Sequence, residues 1–235
     1  MVKRLPSEFL RERLSPRGYL GLHLTVGVLV LVGASWLFGG IAEEVMTGDP
    51  LTVIDRNVSE WFHEHRTPGL TAVMQVITSF ASFPWVSCVV ASTAWVLGAK
   101  KAWYPLLALA LVVPGGMALL PLLKTAFHRQ RPSFADAFQI FDGYSFPSGH
   151  TMAATLLYGL LAYFSVRSCT AWHWRLQAFL GAFVMIGLIG FSRVYLGAHY
   201  VSDVLAAGAA GLAWLAFSLT AVDILRRSRN RGGRP

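Results

Sequence analysis

A polar loop of this 235-residue chain ends in Phe146-Pro147-Ser148-Gly149-His150, and an apolar segment begins directly after it at Thr151. The five residues combine a helix breaker, a hydroxyl, a residue without a side chain and a titratable imidazole. The first turn of a helix has amide groups without internal partners and a partial positive charge, so it can bind an anion. Taken alone, the pentapeptide fits either a phosphate site or a capped helix with an incidental histidine.

The composition of the chain is typical of an integral membrane protein. Hydrophobic residues make up 54% of it and charged residues only 14%, and the mean hydropathy is +0.51; soluble domains carry nearer a quarter charged residues. The net charge of +8 comes from short basic segments between apolar runs, which indicates membrane topology and no nucleic-acid partner. Cys88 and Cys169 lie in or beside apolar runs, and we interpret them as packing residues.

Six apolar runs have about the 20 residues that a helix needs to cross a bilayer. They cover residues 19–41, 70–97, 102–123, 148–166, 174–191 and 200–225. The sequence therefore predicts an all-α fold, an integral membrane bundle of six transmembrane helices that forms one domain over residues 19–225. A basic N-terminus, residues 1–18, precedes it and a basic tail, residues 226–235, follows it. The first run lacks a small-residue cleavage site, so we interpret it as a retained span.

Charges between the runs predict the orientation of the bundle. The basic residues in these connections are Lys100, Lys101, Arg167 and Arg175, and the acidic segment between the first two runs holds Glu43, Glu44, Asp49, Asp55, Glu60 and Glu64. The positive-inside rule puts the basic connections in the cytoplasm and the acidic segment outside. We therefore expect a multi-pass protein of a bacterial inner membrane, with His150 and the loops 124–147 and 193–199 facing outward.

The acidic segment also carries apolar residues at helical spacing. Ile54, Val58, Trp61 and Phe62 recur in this way between the charged positions. The pattern predicts a short helix, either lying on the outer membrane surface or packed as an ordinary amphipathic loop helix.

Proline and small residues mark special positions inside the runs. Pro84 and Pro114-Gly115-Gly116 predict kinks or local unwinding, which neighbouring helices can tolerate. The last run contains six consecutive small residues, from Ala206 to Gly211. Such a surface allows close contact between helices.

Polar residues collect in three clusters at the outward ends of the runs. The clusters span Lys124 to Pro132, Pro147 to His150 and Ser192 to Asp203. Besides His128 and Arg129, they supply three cations, two imidazoles and one carboxylate, in the order Lys124, Arg131, His150, Arg193, His199 and Asp203. The interiors of the runs are almost free of charge, so these clusters are the candidate functional site.

The spacing within the clusters resembles a known family. The pattern is similar to the three-part signature of the type 2 phosphatidic acid phosphatase (PAP2) superfamily. Its three parts here are Lys124-x6-Arg131-Pro132, Pro147-Ser148-Gly149-His150 and Ser192-Arg193-x5-His199-x3-Asp203. That superfamily includes bacterial phosphatidylglycerophosphate and undecaprenyl pyrophosphate phosphatases, glucose-6-phosphatase and vanadium haloperoxidases. Every signature position is filled, in order, and the six-span layout resembles the membrane branch of the family.

The side chains themselves fit phosphoryl transfer. A phosphate ester or pyrophosphate needs its negative charge neutralised while a nucleophile attacks phosphorus in line. Lys124, Arg131 and Arg193 can do this, since arginine forks suit bidentate phosphate contacts, and Ser148 with the amide of Gly149 would complete the phosphate site. With no cluster of carboxylates for Mg²⁺, we expect these cations to take the place of a metal, and we expect no cofactor.

The two histidines are expected to have different roles. Asp203 follows His199 by four residues, so on one helix the carboxylate can accept from the imidazole and leave the other ring nitrogen free to attack. The family resemblance implies that His199 is the nucleophile that forms a phosphohistidine, that Asp203 orients it, and that His150 protonates the leaving oxygen and then activates water.

Other polar residues are assigned no part in the reaction. His128 and Arg129 lie inside the first signature at its variable positions, and we interpret them as solvated residues or lipid-headgroup contacts. His63 and the remaining histidines are expected to have no catalytic part. Asp136 and Asp142 are expected to be polar loop residues that could shape headgroup selection.

The leading hypothesis is metal-independent hydrolysis of a membrane lipid phosphate or pyrophosphate at the outer leaflet. The substrate would be of the phosphatidylglycerophosphate, undecaprenyl pyrophosphate or phosphatidic acid type, or a lipid A phosphate. A non-hydrolytic transporter of anionic lipids is an alternative, although transporters tend to carry internal repeats and polar groups near the bilayer midplane. Oxidation by bound vanadate is a third hypothesis, because the same site could hold that anion.

Overall fold

The computed structural model describes residues 22–48, 50–134 and 143–232, and regular structure within these ranges is entirely helical. The helices are α1 (Leu22–Thr47), α2 (Pro50–Glu64), α3 (Pro68–Ser79), α4 (Phe83–Ala99), α5 (Trp103–Phe127), α6 (Gly149–Ser168), α7 (Trp172–Tyr195) and α8 (Val201–Gly232). The predicted all-α class is confirmed. The N-terminal segment 1–18, the last three residues of the tail, Asp49, Asp136 and Asp142 lie outside the described residues.

Five segments in the described part are long and apolar enough to cross a membrane: residues 24–47, 68–99, 103–127, 172–195 and 201–229. The predicted fourth span is present as α6, a helix of 20 residues, but it does not belong to these five. Its polar side chains Thr151 and Thr155 are buried against other helices, so α6 faces protein where the other spans face lipid. Six membrane crossings therefore stay a prediction.

The central element of the bundle is α6. Its Met152, Leu156 and Leu160 are fully buried and belong to the largest apolar cluster of the described chain. The cluster is completed by Val86 of α4, by Leu109, Val112 and Val113 of α5, and by Ala207 and Leu215 of α8. Burial of each large aliphatic side chain contributes on the order of 2 kcal/mol when water is the reference. Inside a membrane, close packing of this kind supplies the association energy.

Proline has different effects in the two predicted places. Pro84 lies in the first turn of α4. The helix is interrupted between Ser79 and Phe83, directly before this proline, so the predicted second span consists of two helices. In contrast, α5 continues through Pro114 and Pro121 without a break. Of the two predicted effects of Pro114, local unwinding is therefore wrong, because neighbouring helices support the proline-containing turn, and a kink stays a prediction.

The outer surface of the bundle is apolar. Trp36, Phe83, Trp95 and Phe183 are all largely exposed, as expected of side chains that face lipid tails. Cys88 is an exposed free thiol, so its prediction as a packing residue is wrong.

The predicted short helix in the acidic segment is present as α2, but its buried side is polar. Ile54 and Trp61 are 53% and 54% exposed, whereas Asp55 is only 1% exposed and Ser59 is also buried. Ile54 and Trp61 thus point away from the bundle and Asp55 points inward, while Phe62 packs against Phe191 and Tyr195. Contact of α2 with a membrane surface stays a prediction.

Four helix ends that carry the sequence motifs meet at one end of the bundle. They are the end of α5, the start of α6, the end of α7 and the start of α8. The backbone N–H of Ser148 donates to the carbonyl of Asp203 at 3.1 Å, which joins the starts of α6 and α8 directly. The turn between α7 and α8 contains Gly197 with φ +68°, a conformation that favours glycine. The fold therefore brings the three clusters together.

Packing between α6 and α8 makes a testable prediction at Gly211. A Cβ added there would lie 2.9 Å from Cβ of Thr155 and 3.5 Å from the carbonyl of Met152. Because Thr155 is β-branched and stiff, Gly211→Ala should destabilise the protein by about 1–3 kcal/mol, more than the gain in helix propensity of about 1 kcal/mol. The apparent unfolding temperature in detergent measures this.

The matched control is Gly208→Ala on the same helix, where no atom of the described chain lies within 4 Å of the added Cβ. Its unfolding temperature should be unchanged or raised. An equal loss in both variants would contradict the packing account.

Candidate active site

Three predicted cations converge where the helix ends meet. Lys124, in the last turn of α5, donates from Nζ to the carbonyl of Tyr144 at 2.6 Å. Arg131 donates from Nη1 to the carbonyl of Ala198 at 2.7 Å, and Arg193 donates from Nη1 to Oγ1 of Thr78 at 3.2 Å.

The three cations repel one another electrostatically. Helix geometry alone brings them together, since they come from the end of α5, the segment after it and the end of α7. A multiply charged anion between them would relieve this repulsion.

His199 and Asp203 form the predicted pair at the start of α8. Nδ1 of His199 lies 3.4 Å from Oδ2 of Asp203, and both side chains are buried. Nδ1 meets strict hydrogen-bond geometry with no atom of the described chain. The contact with Asp203 is therefore a close approach, slightly longer than a good hydrogen bond. On the other side of the ring, Nε2 lies 3.3 Å from Nη1 of Arg131. Arginine can only donate, so this contact favours the tautomer with its lone pair on Nε2 and its proton toward Asp203.

The protonation state of His199 follows from its burial. Loss of hydration lowers the pKa of the imidazole to about 4, and Arg131 and Arg193 act in the same direction, while Asp203 opposes them only in part. A pKa below the usual value of about 6.5 means that the folded protein disfavours the cation. At neutral pH His199 is therefore uncharged.

The start of α6 supplies the remaining predicted residues. His150 lies in the first turn, close enough to interact electrostatically with Arg193, His199, Arg131 and Lys124. Ser148 is buried at the N-cap position, and its Oγ accepts from Oγ1 of Thr151 at 3.0 Å; it makes no side-chain cap of its own helix. The hydroxyl is thus not committed to capping, which is one of the two functions that the sequence left open.

Arg129 was not recognised in the sequence as a site residue. Its interpretation as a solvated residue or headgroup contact is wrong, because its side chain is only 13% exposed. Nη1 donates to Oδ1 of Asp203 at 2.6 Å and Nη2 to Oδ2 of Asp55 at 2.8 Å. Burial alone would lower the pKa of Arg129, but these two carboxylates outweigh it and raise the pKa above its usual value. His128, in contrast, is exposed as expected.

Asp55 was also missed. It reaches the site from α2 and accepts from the backbone N–H of Ser202 at 3.0 Å and from the Ser202 hydroxyl. The only hint in the sequence is its position among the outward-facing acids, and nothing links it to residues about 150 positions later.

The side chains around the site do not form a metal centre in the described part of the chain. Within residues 22–48, 50–134 and 143–232, no three His, Cys, Asp or Glu side chains are grouped so that they could hold a metal ion. The two carboxylates nearest the site, Asp55 and Asp203, both bind Arg129 instead.

Comparison with known proteins agrees with this arrangement. The family model described as the PAP2 superfamily matches residues 101–227. Phosphatidylglycerophosphatase B of Bacillus subtilis (strain 168) is 38% identical over 150 residues, which cover 63% of this chain and 72% of that protein.

Solved structures extend the match to the fold. The crystal structure of a transmembrane PAP2-type phosphatidylglycerolphosphate phosphatase from Bacillus subtilis has a TM-score of 0.70 and 30% identity, and the match covers 84% of this chain and 96% of that one. Aquifex aeolicus LpxE has a TM-score of 0.53 at 24% identity over 71% and 94% of the two chains, which supports the fold alone. This chain therefore belongs to the PAP2 superfamily and is a lipid phosphate hydrolase.

Proposed function

We propose that this enzyme hydrolyses phosphatidylglycerophosphate, a lipid phosphate monoester, through a phosphohistidine formed on His199. The proposal rests on one observation above all: Nε2 of a neutral, buried His199 lies 3.3 Å from Nη1 of Arg131, so a cation adjoins the atom that would attack. The named relatives from Bacillus subtilis support the choice of substrate. Undecaprenyl pyrophosphate, phosphatidic acid and lipid A phosphates carry the same terminal phosphoryl group and are the competing substrates.

In the first step, His199 attacks phosphorus. The substrate phosphate takes over the donors of Lys124, Arg131 and Arg193, which frees the Nε2 lone pair from Arg131. Nε2 forms a bond to phosphorus as the bond to the glycerol oxygen breaks, and His150 gives its proton to that oxygen. The developing negative charge on the phosphoryl oxygens is stabilised by the three cations, the Ser148 hydroxyl and the Gly149 amide.

In the second step, water releases the phosphate. His150, now neutral, takes a proton from water, whose oxygen bonds to phosphorus. The bond between phosphorus and Nε2 breaks, and its electron pair returns to the ring. Asp203 stabilises the positive imidazole that exists between the two steps. Inorganic phosphate leaves, and both histidines recover their starting states.

We further propose that the site faces the outside of a bacterial inner membrane. Lys100, Lys101, Arg167 and Arg175 lie in or beside the helix connections at the other end of the bundle, and the positive-inside rule assigns that end to the cytoplasm. A phosphate headgroup of the outer leaflet would then reach the site while its acyl chains stay in the bilayer.

Replacement of either histidine should abolish hydrolysis. In detergent micelles of phosphatidylglycerophosphate with a metal chelator, the wild type should release phosphate, while His199→Ala and His150→Ala should lose at least about a thousandfold in kcat, as expected when members of one catalytic unit are removed. Full activity in either variant would rule out the mechanism.

The substrate choice is tested in the same micelles with the wild type. Phosphatidylglycerophosphate should have the highest kcat/KM in a panel with undecaprenyl pyrophosphate, phosphatidic acid and a lipid A phosphate at equal surface concentration. A higher value for one of the others would reassign the substrate without changing the chemistry.

The role of His150 as proton donor predicts a dependence on the leaving group. A phenolic or pyrophosphate leaving group needs less help from a proton than an alkoxide. The loss of kcat/KM, which covers only the steps up to cleavage of the ester, should therefore be smaller in His150→Ala by a factor of about ten or more on a nitrophenyl phosphate than on phosphatidylglycerophosphate. His199→Ala should lose activity equally on both. The same loss for both substrates in His150→Ala would contradict the assignment.

The lowered pKa of His199 predicts that the acid limb of the pH–rate profile lies at unusually low pH. The attacking imidazole must be neutral, and a folded pKa of about 4 keeps it neutral at all pH values above that. The parameter kcat/KM reports the free enzyme, so its acid limb, with a slope of about tenfold per pH unit, should lie below about pH 4. Enzyme returned to pH 7 after acid exposure controls for unfolding. A limb near the ordinary value of about 6.5 would show that His199 is hydrated or is not the nucleophile.

A further inference from the structure

A buried chain of charges links α2 to the proposed nucleophile. Arg129 lies between two carboxylates, with Nη1 2.6 Å from Oδ1 of Asp203 and Nη2 2.8 Å from Oδ2 of Asp55. Both aspartates are fully buried, and the guanidinium carbon lies 4.3 Å from the ring centroid of Tyr200. Burial of charged groups costs free energy even when they are paired. Packing alone therefore does not explain why three charged side chains are buried here.

The contacts divide the two oxygens of Asp203 between separate tasks. Oδ2 faces His199, and it also accepts from the backbone N–H of Tyr200 at 2.9 Å and from the Ser145 hydroxyl. Oδ1 accepts from Arg129. Arg129 therefore prevents the carboxylate from rotating and holds one chosen oxygen toward the imidazole.

Asp55 in turn holds Arg129. Its Oδ2 accepts from Nη2 of Arg129, while Oδ1 accepts from the backbone N–H of Ser202 in the first turn of α8. Arg129 also donates to the Ser202 hydroxyl at 2.6 Å. Two carboxylates and one guanidinium leave a single negative charge beside His199. This is the sign needed to stabilise the positive imidazole between the two chemical steps.

We propose that Arg129 and Asp55 are positioning residues that set the orientation and the effective charge of Asp203, and through it the proton affinity of His199. The inference rests on the proposed function of His199 as nucleophile. It assigns a role to α2, for which the sequence suggested only a helix on the membrane surface or an ordinary amphipathic loop helix. The two residues have opposite electrostatic effects on His199. Arg129 partly neutralises the charge of Asp203, and Asp55 partly neutralises the charge of Arg129.

The electrostatic consequence has a definite sign. The charged and titratable groups that face His199 are Asp203 on α8, Arg131 after α5, Arg193 on α7 and His150 on α6. Neither Arg129→Gln nor Asp55→Asn removes any of these four groups. Arg129→Gln leaves two uncompensated carboxylates and favours the imidazolium, whereas Asp55→Asn leaves Arg129 entirely to Asp203 and disfavours it.

Kinetics of these two variants test the proposal. With phosphatidylglycerophosphate micelles, Arg129→Gln should lose about tenfold or more in kcat at pH 7 with a nearly unchanged KM, as is typical when an outer partner of a reacting group is removed. The acid limb of kcat/KM should move upward by roughly one pH unit, which is the size expected for one charge a few ångströms away. In Asp55→Asn the limb should move downward.

Matched controls lie at the other end of the bundle. Arg167 and Asp223 form an ion pair of 3.7 Å between α6 and α8, so Arg167→Gln and Asp223→Asn remove the same kinds of charge far from His199. Both should keep the wild-type rate and acid limb. Unfolding temperatures of all four variants show how much of any loss comes from stability.

The outcomes separate this inference from the proposed function. A wild type that does not hydrolyse the lipid, or an active His199→Ala, overturns the proposed function. An active wild type and an inactive His199→Ala, with unmoved acid limbs in Arg129→Gln and Asp55→Asn, overturn the positioning role alone, even if both variants are slower. If Arg129→Gln does not fold, Asp55→Asn decides: a downward shift supports the proposal and an unmoved limb refutes it.

Discussion

The arrangement of the site depends on one buried carboxylate, that of Asp203. Its two oxygens lie against His199, Tyr200, Ser145 and Arg129, and its backbone carbonyl accepts from Ser148. Three other parts of the chain, the segment after α5, the loop before α6 and the turn before α8, therefore depend on a single residue in the first turn of α8. A carboxylate without water around it must be satisfied by fixed donors, and these donors are the residues that bring the three sequence motifs together.

The cations of the site are held in a different way. Lys124 and Arg131 donate to backbone carbonyls of the loop before α6 and of the turn after α7. A neutral carbonyl offsets less positive charge than a carboxylate does. With these carbonyl contacts, Lys124 and Arg131 can still attract a phosphate. Arg129, which is paired with two carboxylates, has no such capacity left. The two arginines lie only two residues apart and have different partners, which fits the different roles proposed for them.

The bundle contributes rigidity around this end. Helix α6 is enclosed by α4, α5 and α8 through side chains such as Leu156 and Leu160, and its first turn carries His150. Small residues on α8 permit the close approach, as at Gly211 against Thr155. A helix packed on every side moves little relative to its neighbours. His150 and His199 can therefore keep a constant separation through both steps of the reaction.

The sequence by itself determined the class of fold, the apolar segments and the three motifs, because local hydrophobicity and fixed spacing express these features directly, and the roles proposed for the motif residues start from that spacing. It did not determine that the second span is two helices, that α5 passes through Pro114 unbroken, or that Arg129 and Asp55 join the site. Those outcomes depend on which side chains meet across the bundle. Asp55 lies about 150 residues before Ser202 in the chain, and only the packing of α2 against the start of α8 makes them neighbours.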